Sequence, residues 1–327
     1  MVLLTVPILK VPSSPNSHHA LGPDDTVAGK TVRHRNLIAL VISVLLLGFI
    51  TWIVGIKNVL DGLSRFPLWA VFCILLLLSA NLVTVSLRYW RVLAHFGIAL
   101  PWKIALQANI AGNIAGFILI SLAGHVVGRQ IVLKPFNVSP IVNASLVAYE
   151  RVLLFLVSGG LGALGGMYIL GQSAVASFLD QIAIYEIAIA ALVGVMLSTW
   201  LGHSNFERRL CRRMLSVSNF RRLTIILGLT LAGQLLMLGA FMIGIYAIAD
   251  GTPLVSMFAA SAAISFAATI PITINGWGIR EVAAVYLLGR LGLASGDALS
   301  VSVMIGLCAT AVTLAASFNF LRQPSHV

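Results

Sequence analysis

Charged residues stand inside long apolar runs of this 327-residue chain, above all Glu150 and Arg151 within 141–170, and Arg280 and Glu281 at the head of 279–292. A charge at the centre of a membrane helix costs about 2.5 to 3.5 kcal/mol on insertion scales, so such residues find partners and mark sites. Glu150 lies about nine residues into its run, roughly 14 Å along a helix. Helix neighbours at i and i+1 do not face each other. Crossed pairing is therefore expected, with Glu150 and Arg151 against Arg280 and Glu281. Arg129 and His125 lie at an upstream polar break, Gly124-His125-Val126-Val127-Gly128-Arg129. Such a set can recognise a phosphate-bearing headgroup, pass a proton, or act as a structural ion-pair lock.

The stretch Pro271-Ile272-Thr273-Ile274-Asn275-Gly276-Trp277-Gly278-Ile279-Arg280-Glu281 has a helix stop followed by a helix start. Pro271 removes a backbone donor, and Gly276 and Gly278 open conformations closed to other residues. The amides of a helix beginning near Ile279, with Arg280 beside them, form an anion site at membrane depth. Arg280 is expected to hold the headgroup. Asn109 and Asn113 are spaced i, i+4, and Ser261, Ser265 and Thr269 share one helix face. With His125 they offer a polar or proton-coupling path, or the hydrogen bonds that hold helices together.

Composition names the elements that must position these groups. Hydrophobic residues make up 59% of the chain and charged residues 9%, against about 25% charged in soluble domains. Apolar runs near 37–56, 67–87, 104–123, 141–170, 182–201, 223–249, 254–275, 279–292 and 298–321 are too long for the alternating strands of an outer-membrane barrel. The expected fold is all-α, a polytopic integral membrane helical bundle. Cys73, Cys211 and Cys308 form no metal-ligand or disulfide spacing, and they read as packing residues. No metal or cofactor is expected.

The net charge of +11 reads as topology rather than nucleic-acid binding. If all nine runs crossed, the loop bearing Arg208, Arg209, Arg212, Arg213, Arg221 and Arg222 would face outward. Making 104–123 re-entrant from the cytoplasmic face, and 254–292 a hairpin dipping in from outside, restores these arginines to the cytoplasm. The expectation is about six spanning helices plus two broken segments, with both termini cytoplasmic in a cell membrane. The broken segments share an Ala-rich stretch, a polar break, then Gly and Arg, as an inverted repeat would give. Residues 1–36 read as a flexible cytoplasmic tail rather than a signal peptide. Residues 37–321 read as the membrane domain, and 322–327 as a short tail.

The pattern Ile270 to Glu281, with Gly124 and Arg129 upstream and Glu150-Arg151 in an apolar helix, resembles the flippase-like family. That family includes the transmembrane part of lysylphosphatidylglycerol synthase, the multiple peptide resistance factor. The resemblance implies a protein that moves phospholipid or lipid-linked molecules between leaflets. Its partners would be membrane lipids, anionic or lipid-linked, together with a separate lipid-modifying enzyme. His125 stands where the family usually has an acidic residue. The chain stops soon after its last apolar run, so aminoacyl transfer is not carried over. The alternatives are a membrane enzyme, or enzyme subunit, acting on lipid-linked sugars, and a structural membrane partner. Product formation by purified protein separates the first of these, and loss of all bound lipid favours the second. Ser158 lacks the GxSxG setting of an activated nucleophile.

Overall fold

The computed structural model describes residues 56–117, 119, 121–171, 173, 220–270 and 276–321. The tails 1–36 and 322–327, nearly all of the run 37–56, the run 182–201, Arg208 to Arg213, and Pro271 to Asn275 lie outside these residues. The described helices are α1 (Ile56–Ser64), α2 (Leu68–His95), α3 (Trp102–Gly116), α4 (Ser121–Leu133), α5 (Pro140–Leu170), α6 (Phe220–Ile248), α7 (Leu254–Thr269), α8 (Ile279–Arg290) and α9 (Ser295–Leu321). No strand occurs among the described residues.

Proline and polar caps set several of these starts. Pro67, Pro101 and Pro253 precede α2, α3 and α7, where a missing N–H costs nothing and the fixed φ favours entry into the helix. Ser139 opens α5 by accepting a hydrogen bond from the Val142 N–H, with Pro140 as the first helical residue.

Among the described residues, four stretches are long and apolar enough to span a membrane: Leu68–His95, Pro140–Leu170, Arg221–Ile248 and Ser295–Phe318. Their outer faces are apolar: Leu68 is 87% exposed and Ile131, on the neighbouring α4, 71%. Surfaces of this kind are stable in lipid rather than in water. The other two expected spans, 37–56 and 182–201, fall almost wholly outside the described residues.

Between the long helices lie short ones. At 1.5 Å per residue, α3, α4, α7 and α8 measure about 18 to 24 Å, less than the roughly 30 Å of a hydrocarbon core. The run expected as one segment, 104–123, is two elements: α3 ends at Gly116 and α4 begins at Ser121. The polar break expected at 124–129 lies inside α4. Its glycines end no helix but let α4 press against α3. A Cβ at Gly124 would come 2.5 Å from the Gly116 backbone, and one at Gly128 would strike the Ala111 carbonyl. Gly112 and Gly116 form a GxxxG pair on the α3 face at this crossing. Gly162 likewise meets Phe266 of α7.

The helices form two quartets in the same order, long, short, short, long: 28, 15, 13 and 31 residues in α2–α5, then 29, 16, 12 and 27 in α6–α9. Their first members run antiparallel. Trp69 meets Tyr246 edge-on at 6.3 Å, Leu77 faces Gly239, and the Asn81 amide donates to the Gly233 carbonyl at 2.6 Å. Repeated order with reversed direction is the geometry of an inverted repeat. The quartets also exchange partners, since α5 packs along α7. One apolar core joins α2 to the second quartet through Ile74, Phe241, Ile264 and Leu288. A second core joins α2 to α4 and α5 of its own quartet through Leu93, Leu133 and Leu146.

Candidate functional site

A cavity draws residues from the middle and C-terminal half of α2 and from five other helices. It measures about 250 Å³. On α2, Leu78, Asn81, Leu82, Val85 and Arg88 form one helical stripe facing it. On α3 and α4 the i, i+4 pairs Asn109 and Asn113, and His125 and Arg129, face the same space. Glu150 and Arg151 of α5, Thr230 and Gln234 of α6 and Thr313 of α9 complete the polar lining. The rest is largely apolar, including Val147, Leu154 and Met237.

Glu150 organises the polar end. It sits ten residues after Pro140, about 15 Å along the helix, and is 4% exposed. Arg88 donates through Nε to its Oε1 at 3.1 Å. Arg129 donates through Nη1 to its Oε2 and through Nη2 to Asn109 Oδ1 at 3.0 Å. The Asn109 amide donates to Ser86 Oγ at 2.9 Å, and the Ser86 hydroxyl donates to the Leu82 carbonyl. The Arg129 guanidinium also lies 3.9 Å from the centre of the Tyr89 ring, a cation–π contact strengthened by desolvation. One carboxylate thus joins α2, α4 and α5, and Asn109 brings in α3. Asn143 secures the α4–α5 contact by donating to the Val126 carbonyl at 2.8 Å and to Gln130 Oε1 at 3.1 Å.

Arg280 and Glu281 form a separate cluster. The Glu281 carboxylate is fully buried. It accepts from the Gly278 N–H at 2.6 Å, from Ser302 Oγ at 3.0 Å, and from Arg280 Nε and Nη2 at 3.0 and 2.5 Å. Arg280 also donates to Ser302 Oγ at 3.0 Å and lies 4.9 Å from the Trp277 ring centre. Gly276 and Gly278 adopt φ of 77° and 97°, which is why glycine stands at both positions before α8.

The crossed pairing is therefore corrected. Glu150 takes its partners from α2 and α4, and Arg280 bonds to its own neighbour. The i, i+1 argument fails because the long guanidinium folds back over the start of α8 to reach the Glu281 carboxylate. At the α8 N-terminus the Gly278 N–H is taken by Glu281, a cap from within the helix. Arg280, Glu281, Gly276 and Gly278 do not line this cavity. Asn275 lies outside the described residues.

The remaining candidates divide in the same way. Asn109, Asn113, His125, Arg129, Glu150 and Arg151 come together at the cavity. Ser261, Ser265 and Thr269 do not line it. Ser265 accepts from Gln234 at 3.0 Å, Thr269 donates to the Phe266 carbonyl, and Ser261 is fully buried.

Arg88 and Tyr89, which are 6% and 0% exposed, are absent from the candidates drawn from the sequence. Beside them, Trp90 donates to the Leu100 carbonyl at 2.8 Å and Arg91 stacks on Trp90. The missed signal was the spacing of Asn81, Val85 and Arg88 on one face of the helix.

The fold and site define a polytopic helical membrane protein with a charged pocket between its helices. Residues 36–317 match the lysylphosphatidylglycerol synthase TM region, and the chain belongs to that family. No curated protein and no solved structure matches it.

Proposed function

We propose that the protein moves a phospholipid or lipid-linked substrate between the leaflets of the cell membrane. The headgroup passes through the Arg88–Arg129–Glu150–Arg151 cavity, and the acyl or prenyl chain stays in surrounding lipid. The observation that carries this reading is the mixed cavity lining, with a charged end beside apolar walls at the depth of spanning helices. Pockets for whole drug-sized ligands run from about 300 to 1,000 Å³, so a space of about 250 Å³ suits a headgroup rather than an entire lipid. The family is compatible with this role, and the activity is transport rather than aminoacyl transfer.

The α3–α4 and α7–α8 pairs act as re-entrant hairpins from opposite faces, with both chain termini cytoplasmic. Their short lengths and the antiparallel α2 and α6 support that arrangement. The partners are membrane lipids, with a lipid-modifying enzyme supplying or consuming the substrate.

The test is redistribution of labelled anionic phospholipid in proteoliposomes containing the purified protein. Faster exchange than in protein-free vesicles is expected. A rate equal to that of empty vesicles, for phospholipid and lipid-linked phosphate alike, overturns the reading.

A further inference from the structure

We infer that the substrate headgroup carries hydroxyl groups, as a polyol or a sugar does, and that Asn81, Thr230, Gln234 and Thr313 read them. This rests on the headgroup reading above and names the chemical class it leaves open.

The cavity has a second polar face beyond its charged end. Asn81 and Arg88 stand seven positions apart on one stripe of α2, about 10 Å along the helix. The Asn81 amide bonds to the Gly233 carbonyl, so Asn81 is level with Gln234 on the antiparallel α6. Thr230 lies one turn from Gln234 toward the level of Arg88, and Thr313 of α9 lines the same space.

The hydrogen bonds within this face settle what it offers. A carbonyl only accepts, so the Asn81 nitrogen is the atom turned to Gly233. Gln234 gives its nitrogen to Ser265 Oγ at 3.0 Å. Neither amide oxygen accepts a hydrogen bond from a described residue, and neither is sealed away from solvent. Gln234 is 6% exposed, so the oxygen it leaves open faces this interior space. Thr230 and Thr313 give their hydroxyl protons to the Ile226 and Ala309 carbonyls, which leaves them lone pairs to offer.

Oxygens from three helices thus accept without carrying charge. Their complement is a group that donates without carrying charge, and a hydroxyl does so. A buried ammonium takes a carboxylate as partner; Glu150, which lines the same cavity, has one oxygen on Arg88 and the other on Arg129. A quaternary ammonium has no donor at all. Arg88 gives Glu150 only its Nε, and guanidinium forks suit phosphate oxygens. A phosphate held there places hydroxyls a few bonds away beside Thr230 and Gln234. A headgroup of the same charge without hydroxyls strips water from these oxygens and returns nothing to them.

The experiment uses the full chain in phosphatidylcholine nanodiscs, with retention of added lipids read by native mass spectrometry. Phosphatidylglycerol and phosphatidylethanol form the central pair, since both are singly charged phosphodiesters and only the first has hydroxyls. Phosphatidylethanolamine and a polyprenyl phosphoglucose are added in separate arms. Phosphatidylglycerol should be retained at least about fivefold better than phosphatidylethanol, the scale of one net hydrogen bond. Gln234→Met and Thr313→Val, which remove oxygens at nearly constant volume, should each bring phosphatidylglycerol toward the phosphatidylethanol level. Retention of phosphatidylethanol should not change, a split that a general loss of folding does not produce.

Equal retention of phosphatidylglycerol and phosphatidylethanol by the parent overturns the hydroxyl site while leaving the headgroup reading intact. So does stronger retention of phosphatidylethanolamine than of phosphatidylglycerol, which makes the donor an ammonium. An unchanged preference in both folded variants overturns the assignment to these residues. Stronger retention of the polyprenyl phosphoglucose supports the hydroxyl site and makes its ligand a sugar rather than glycerol. Retention of none of the added lipids overturns the headgroup reading itself.

Discussion

Arg129 of α4 and Glu150 of α5 form a buried ion pair whose carboxylate is shared with Arg88 of α2. Removing one partner from such a set leaves buried charge uncompensated, at about 3–5 kcal/mol. Glu150→Gln should therefore lower the thermal midpoint of the detergent-solubilised protein markedly. The double variant Arg129→Gln/Glu150→Gln should lose less than the sum of its single variants. Additive losses in that cycle would show that the pair does not couple.

The α8 cluster makes the opposite prediction about function. Glu281→Gln weakens the cap on the Gly278 N–H and leaves Arg280 without its counter-charge. A similar loss of about 3–5 kcal/mol in stability is expected. Under conditions where the variant remains folded, retention of lipid at the cavity should match the parent. A selective loss of bound lipid with unchanged thermal stability would return this cluster to the binding site.

Glycine contacts between α3 and α4 give a steric test. Gly128→Ala places a methyl group against the Ala111 carbonyl, and overpacking of this kind costs about 1–3 kcal/mol. At Gly160, also helical, an added Cβ meets nothing within 4 Å. Gly160→Ala should be neutral or should stabilise by up to about 1 kcal/mol through helix propensity. Thermal unfolding of the two variants side by side checks the contrast.

The comparison of sequence with structure turns on distance along the chain. The long apolar helices and the break before Ile279 were readable because hydropathy, proline and paired glycines act locally. Glu150 was readable as a buried charge for the same reason. Its partners were not, because Arg88 lies 62 positions away near the end of a helix, where an arginine resembles an interfacial anchor. The 124–129 break was misread because glycine serves close approach as well as chain reversal. Which role applies depends on what lies opposite, here Gly116 and Ala111.

Re-entrant hairpins predict paired accessibility. In a cysteine-free background, cysteines introduced at Lys103 before the body of α3 and at Lys134 after α4 should both react from the cytoplasmic face. Cysteines at Asp250 and Arg290, flanking the α7–α8 pair, should both react from the outer face. Labelling of 103 and 134 from opposite faces would make α3 and α4 a crossing element and contradict the hairpin.

The claim that the cavity is the headgroup path is tested most directly by comparing Arg129→Gln and Arg280→Gln in the same transport assay. Each variant is reconstituted at equal density and checked for folding, and redistribution of labelled anionic lipid is followed over time. Loss of the Arg129 contacts should slow transport by at least about tenfold, the scale of one charge-assisted hydrogen bond, while Arg280→Gln retains the parental rate per folded molecule. Parental transport by Arg129→Gln together with loss in Arg280→Gln would contradict the account.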